Sequence, residues 1–180
     1  MEKIFPLGER GQHLWTRELA REIRGDLERA LGELNPGSAL VIDLKGVEVF
    51  DYSFANEFFG KSILRLSDEY PGCFLLVEHV TAYARENLVK ALESLSLAMI
   101  ERKGGKLQLL GKVHPADQAT FQAIERAKGP VTAAVLTSRL NVNLTAMNER
   151  LAKLSKLGLV RRERGTSPAG REQYEYSVDW

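Results

Sequence analysis

Apolar and polar positions follow two different periods along the chain, and the switches between them mark the elements. Over Leu14–Leu34 the apolar positions Leu19, Ile23, Leu27 and Ala30 or Leu31 recur every three to four residues. Arg17, Glu18, Arg21, Glu22, Arg24, Asp26, Glu28 and Arg29 fill the gaps, a spacing that predicts an amphipathic helix. Asn35-Pro36-Gly37 stops it, because proline cannot continue a helix and glycine tolerates the exit conformation. Ser38–Leu44 and Cys73–Val80 are short apolar runs bounded by turn residues and predict buried strands. Gly46–Phe50 is a turn with a brief extension. Ser53–Leu66 predicts a second helix with Phe54, Phe58, Ile63 and Leu66 inward. Tyr83–Leu95 predicts a third with Leu88, Ala91, Leu92 and Leu95 inward. Leu97–Glu101 and Lys106–Leu110 flank Lys103-Gly104-Gly105, the strongest short hairpin signal in the chain. Residues 1–111 therefore predict an α/β domain, a mixed sheet with helices.

After Gly111 the pattern changes. Lys112-Val113-His114-Pro115 is a short joint, and Pro115 suits the start of a helix over Asp117–Ala127 with Phe121 and Ile124 inward. Thr132–Leu140 predicts a second helix. Asn143 is a good N-cap for a third, Leu144–Leu157, with Leu144, Met147, Leu151, Leu154 and Leu157 inward and Gly158 at the exit. Leu159–Arg164 and Gln173–Val178 read as two strands around Gly165–Gly170. Residues 112–180 thus predict a small α+β domain of three helices and a hairpin, the layout of a winged helix-turn-helix. Asn141 suits the left-handed turn between its second and third helices.

Composition narrows the class. Of 180 residues, 44% are hydrophobic and 27% charged, which predicts a folded protein rather than a disordered or fibrous one. The single Cys73 excludes an internal disulfide framework and a cysteine-based zinc site. Uncharged stretches such as Gly129–Ser138 are too short to span a bilayer. Ile4-Phe5 are followed at once by Pro6, Glu9 and Arg10, so no signal-peptide stretch is expected. The expected location is the cytoplasm. The net charge of +1 is a sum of unlike parts: residues 1–112 carry −2 and residues 113–180 carry +3. Between Arg150 and Arg171 stand seven basic residues, Arg150, Lys153, Lys156, Arg161, Arg162, Arg164 and Arg171, against the lone acid Glu163. Such a cluster favours a polyanion through counterion release. Strand alternation puts Arg162 and Arg164 on one face.

The run Gly129-Pro130-Val131-Thr132, Leu136, Leu140-Asn141-Val142-Asn143 and Leu151-x-x-Leu154-x-x-x-Gly158-Leu159-Val160-Arg161-Arg162 resembles the winged-helix module of bacterial regulators such as the MarR and ArsR families. The resemblance implies that the third helix enters the major groove of double-stranded DNA and that the hairpin lies against the backbone or minor groove. By position, Thr145, Asn148, Glu149 and Ala152 would then lie on the groove side, with Arg150 and Lys153 towards phosphates. Arg161, Arg162, Arg164 and Arg171 would lie on the wing. The Glu149 position is often basic or polar in those families; an acid there repels phosphate or accepts from a cytosine amine.

The first domain carries Gly11-x-x-Leu14-x-Thr16-Arg17-x-x-Ala20-x-x-Ile23, then Val41-Ile42-Asp43-Leu44-x-Gly46-Val47, then Ser53-Phe54-Ala55-Asn56-Glu57-Phe58-Phe59-Gly60. Together these resemble a STAS-like bacterial domain family. The broader group includes antagonists of anti-sigma factors, in which a serine at a helix start is phosphorylated by a partner kinase. The resemblance places Ser53 there, in the loop Asp51-Tyr52-Ser53-Phe54. Phe54 replaces the usual glycine and Tyr52 a small residue, and Asn56 stands where an acid is common. A phosphoserine at a helix N-terminus is stabilised by free N–H groups, yet a serine there is also an ordinary cap. Thr16-Arg17 reads as a cap and solvated face, or as a contact for a partner or ligand. Asp43 and Asp51 lie near a strand's C-terminal end, where α/β folds place sites.

His13, His79 and His114 lack metal-ligand spacing, and no phosphate-binding glycine loop or nucleophile elbow is present. No catalytic residue, metal or cofactor is expected. The expectation is a DNA-binding regulator, a homodimer reading two half-sites, with a kinase or other protein at Thr16, Arg17, Asp51, Tyr52 and Ser53. The alternative is an interaction adaptor in which both domains bind proteins.

Overall fold

A computed structural model describes all residues, Met1–Trp180. The chain divides into two compact units, Met1–Val113 together with Trp180, and His114–Asp179.

The first unit is α/β, as expected. Its sheet has the order β1-β3-β5-β6-β7, from β1 (Glu2–Pro6), β3 (Ala39–Asp43), β5 (Phe74–Glu78), β6 (Ala98–Lys103) and β7 (Lys106–Gly111). The first four are parallel and β7 is antiparallel. Leu40, Val41, Ile42, Leu76, Val77 and Ile100 are buried, which is why the central strands read as continuous apolar runs. β1 has no counterpart in the sequence expectation. It is an edge strand five residues long that ends on Pro6, and a strand with one partner and one exposed flank gives little periodic signal.

A second small ladder joins β2 (His13–Leu14) to β4 (Val49–Phe50) in parallel. Leu14 belongs to this ladder and not to the first helix, α1 (Arg17–Gly32). The apolar residue fits both patterns, but its burial comes from the strand.

The second expected helix is three segments: α2 (Tyr52–Ala55), a π turn (Asn56–Gly60) and α3 (Lys61–Glu69). Phe54, Phe58 and Phe59 are all fully buried. Phe54 and Phe59 stand five residues apart, about 140° apart around a uniform α-helix, so a local change of winding is what brings both onto one buried face. The π turn supplies it. Phe50, Phe54, Phe58 and Phe59 form a chain of ring contacts with centroids 4.8 to 5.9 Å apart. The hydroxyl of Ser62 donates to the Phe58 carbonyl at 2.6 Å. α4 (Ala82–Ser94) completes the unit.

The second unit holds α5 (Pro115–Ala127), β8 (Val131–Thr132), α6 (Ala133–Leu140), α7 (Leu144–Lys156), β9 (Arg161–Thr166) and β10 (Glu172–Ser177). Its three strands pair antiparallel in the order β8-β10-β9. Each helix start has a side-chain cap: His114, Thr132 and Asn143 accept from the backbone N–H of Ala116, Val135 and Ala146. Thr132, expected to open α6, is its cap and the end of β8. Asn141 is left-handed at φ 50, ψ 50, and makes the turn between α6 and α7. Phe121, Ile124, Leu136, Met147, Leu151 and Leu154 fill the core. Leu144 does not join them. It is 53% exposed, because the first helical residue after the Asn143 cap lies before the inward stripe begins.

Candidate functional site

The exposed side of α7 and the β9–β10 hairpin carry the residues expected to meet nucleic acid. Thr145, Asn148, Glu149, Ala152 and Lys156 are exposed and recur at helical spacing, so they form one stripe opposite Met147, Leu151 and Leu154. Arg150 is half-buried beside it. The stripe is small and neutral apart from Glu149 and Lys156. Lys153 is exposed but engaged: its ammonium lies 2.5 Å from the buried Asp117 carboxylate in the first turn of α5.

The hairpin has two unlike faces. Cross-strand pairing sets Arg162 opposite Tyr176 and Arg164 opposite Tyr174, and Arg161 opposite Ser177 and Glu163 opposite Glu175. Partners across a ladder share a face, so Arg162, Arg164, Tyr174 and Tyr176 are together, with Arg161, Glu163 and Glu175 on the reverse. On the first face the Arg162 guanidinium lies 3.6 Å from the Tyr174 ring centroid, a stacked cation–π contact that leaves its N–H edges free. Burial pushes the Tyr176 phenol pKa up, against the opposing charge of Arg162. On the reverse face Arg161 pairs with Glu163 at 2.7 Å. The Arg/Tyr face also carries Glu172, opposite Thr166, and so is aromatic with a small basic excess, whereas the reverse face, with one arginine against two glutamates, is slightly acidic. Arg171 is exposed at the hairpin tip, which is closed by the Ser167 N–H to Arg171 carbonyl bond at 2.8 Å and the Gly170 N–H to Ser167 carbonyl bond at 2.8 Å.

In the first unit the β2–β4 ladder brings the two signature segments together. The Asp51 N–H donates to the Leu14 carbonyl at 3.2 Å, so Thr16-Arg17 at the start of α1 and Asp51-Tyr52-Ser53 at the start of α2 are neighbours. The cap of α2 is Asp51, whose carboxylate accepts from the Phe54 N–H at 2.6 Å. Ser53 is therefore not the cap; it is the second residue of α2 and half-buried. A carboxylate already holds the position where an added phosphate would gain most from the helix start. Thr16 does cap α1, through the Leu19 N–H at 3.3 Å. It does so at φ 73, ψ 151, a conformation that a β-branched residue rarely adopts.

Tyr52 is 39% exposed, with its hydroxyl donating to Ser94 Oγ at 2.9 Å. Two exposed aromatics that the sequence expectation did not select are Trp15, stacked on His13, and Tyr83 at the start of α4. Nothing in periodicity separates them from core residues. Cys73 is buried, and burial raises its thiol pKa. No three His, Cys, Asp or Glu side chains are arranged to hold a metal ion, and no helix is long and apolar enough to cross a membrane.

No protein-family model matches the chain, and no curated protein matches it significantly.

Proposed function

We propose that the chain is a DNA-binding transcriptional regulator, in which a STAS-like unit senses a signal or partner and controls a winged-helix unit. The observation that carries this reading is the Arg/Tyr face of the β9–β10 hairpin, where Arg162 and Arg164 are exposed, Arg162 lies over Tyr174 and neither is held in an ion pair. The layout of the second unit supports it: three capped helices, a left-handed Asn141 between the last two, and a neutral exposed stripe of Thr145, Asn148 and Ala152. That stripe reads bases in the major groove while the hairpin holds phosphates, and two copies in a homodimer read two half-sites. Binding of the full-length chain to random duplex at low salt tests the reading. Retention that falls steeply with added salt is the expected result. No retention, or retention indifferent to salt, overturns it.

A second reading is an adaptor whose first unit binds a protein such as a kinase. The exposed Trp15, Tyr52 and Tyr83 favour it, since tryptophan and tyrosine are enriched at binding hot spots. Intact-mass measurement of the chain purified across growth conditions tests a phosphorylated Ser53, and an unmodified mass throughout counts against that switch.

A further inference from the structure

The C-terminal ends of three parallel strands gather polar side chains that the nucleic-acid reading does not use. β3 ends at Asp43, β5 at Glu78 and β6 at Lys103, and open parallel sheets collect ligands at this edge. A cavity of about 450 Å³ opens there, walled by Glu78, His79, Glu101, Arg102, Lys103 and the Gly104-Gly105 turn. Its size falls in the range of small-molecule sites.

The acids of this wall already have their counter-ions. Glu78 pairs with Arg102, which also grips Glu2 at 2.6 Å. Glu101 is buried and is held by Arg85 and Gln108. The groups left over have the opposite character. Lys103 is exposed and makes no ion pair. His79 spends only Nδ1, 2.7 Å from Asp43 Oδ1, and its Nε2 has no partner.

The backbone is set for this arrangement. His79 is left-handed at φ 57, a conformation uncommon for any residue but glycine, and its ring is oriented by Asp43. Burial opposes ionisation of Asp43, but the Lys45 N–H and the His79 ring outweigh it and lower the carboxyl pKa. Gly104 and Gly105 have φ 58 and 75, with open space where a side chain would stand. A ligand can therefore approach the turn closely.

We propose that this cavity binds a small organic oxyanion, a phosphate ester or a carboxylate, with Lys103 as its counter-charge and His79 as its oriented hydrogen-bond donor. Asp43 accepts from Nδ1–H, so Nε2 donates to an anion from the ring form that holds both protons, one shared with Asp43 and one with the ligand. The site stands apart from the nucleic-acid reading and survives its failure.

The test is a titration of the full-length chain, followed by amide and imidazole NMR shifts, with inorganic phosphate, phenyl phosphate and succinate in separate arms. Saturable shifts at Gly104, Gly105 and His79 are expected, and the arm that saturates first names the ligand chemistry. Lys103→Glu should weaken binding at least about tenfold, and His79→Gln should weaken it too. The rest of each variant's spectrum reports that the fold is kept. Absence of saturable shifts with all three probes, or undiminished affinity in Lys103→Glu, overturns the proposal.

Discussion

Gly60 closes the π turn with helical φ −59 and ψ −49. A Cβ there would meet Leu95 Cδ1 at 2.5 Å, the end of a half-buried side chain that can turn aside. In Gly60→Ala the helix preference of alanine, about 1 kcal/mol, offsets the cost of moving Leu95, so the expected change is within about 1 kcal/mol, read from the urea midpoint at unchanged slope. Thr16 presents the opposite case. Its cap bond is long and its backbone strained, so Thr16→Gly gives up a weak bond and releases strain. The expected change is no more than a few tenths of a kcal/mol. Thr81 caps α4 without strain, at φ −69, and also donates to the Glu48 carbonyl at 2.7 Å. Thr81→Ala should therefore cost about 1 kcal/mol or more, and thermal melts of the two variants separate them. Asp43 and Glu2 titrate below their ordinary values, Asp43 through its Lys45 and His79 bonds against burial, Glu2 through Arg102. A depressed folded pKa stabilises above the unfolded value and is lost as pH falls through the folded one. Stability should hold above about pH 4 and fall progressively below it. Asp43→Asn should flatten that acid limb in a pH series of urea melts.

At the scale of elements, the hairpin's two faces separate residues that sequence groups together. Arg161, Arg162 and Arg164 are equivalent in a charge count, but Arg161 is paired with Glu163 and the other two share the aromatic face. Arg162→Ala with Arg164→Ala is expected to weaken DNA binding for every sequence alike and to flatten its salt dependence, whereas Arg161→Ala changes it little. Equal effects in a filter-binding series would show that the faces do not matter. Lys153, tied to Asp117, should behave like Arg161. The alternation that placed Arg162 and Arg164 together was legible in the sequence because a strand's period is fixed. Their tyrosine partners were not, since pairing across a ladder depends on register. Caps were mixed in the same way. Asn143 was readable because the helix start was unambiguous. Asp51 and Ser53 are both good caps two residues apart, and only the backbone decides for Asp51.

At the scale of the molecule, the near-zero net charge conceals a division. The stretch from Arg150 to Arg171 holds most of the basic excess, and the first unit is slightly acidic. Lys156, Arg162, Arg164 and Arg171 are the exposed cations there without an ion pair. About four phosphate contacts per chain imply a log–log salt slope near −3 to −4, doubled when two copies share one site. A slope near zero in a salt series on the full-length chain would leave the basic stretch as solvated surface. The α/β layer and the helix–helix–helix–hairpin order were legible because both rest on long periodic segments. The edge strand β1, the β2–β4 ladder and the oxyanion cavity were not. Each is made by residues far apart in sequence, so local pattern carries no trace of it.

The π turn has a further consequence, for the chain's tolerance of insertion and deletion. Phe54 and Phe58 keep one helical phase, and Phe59, Ile63 and Leu66 keep the same phase displaced by one residue. The wide turn absorbs that displacement, so the segment is in effect an α-helix with one residue spliced into it. Deleting one residue of the turn, such as Asn56, would therefore bring Phe59, Ile63 and Leu66 back into the phase of Phe54 and Phe58 with uniform α winding. The same deletion after the turn, within α3 (Lys61–Glu69), would carry Leu66 out of phase with nothing to absorb the shift. The helix thus has one place, the π turn, where its count of residues can change without loss of its buried face.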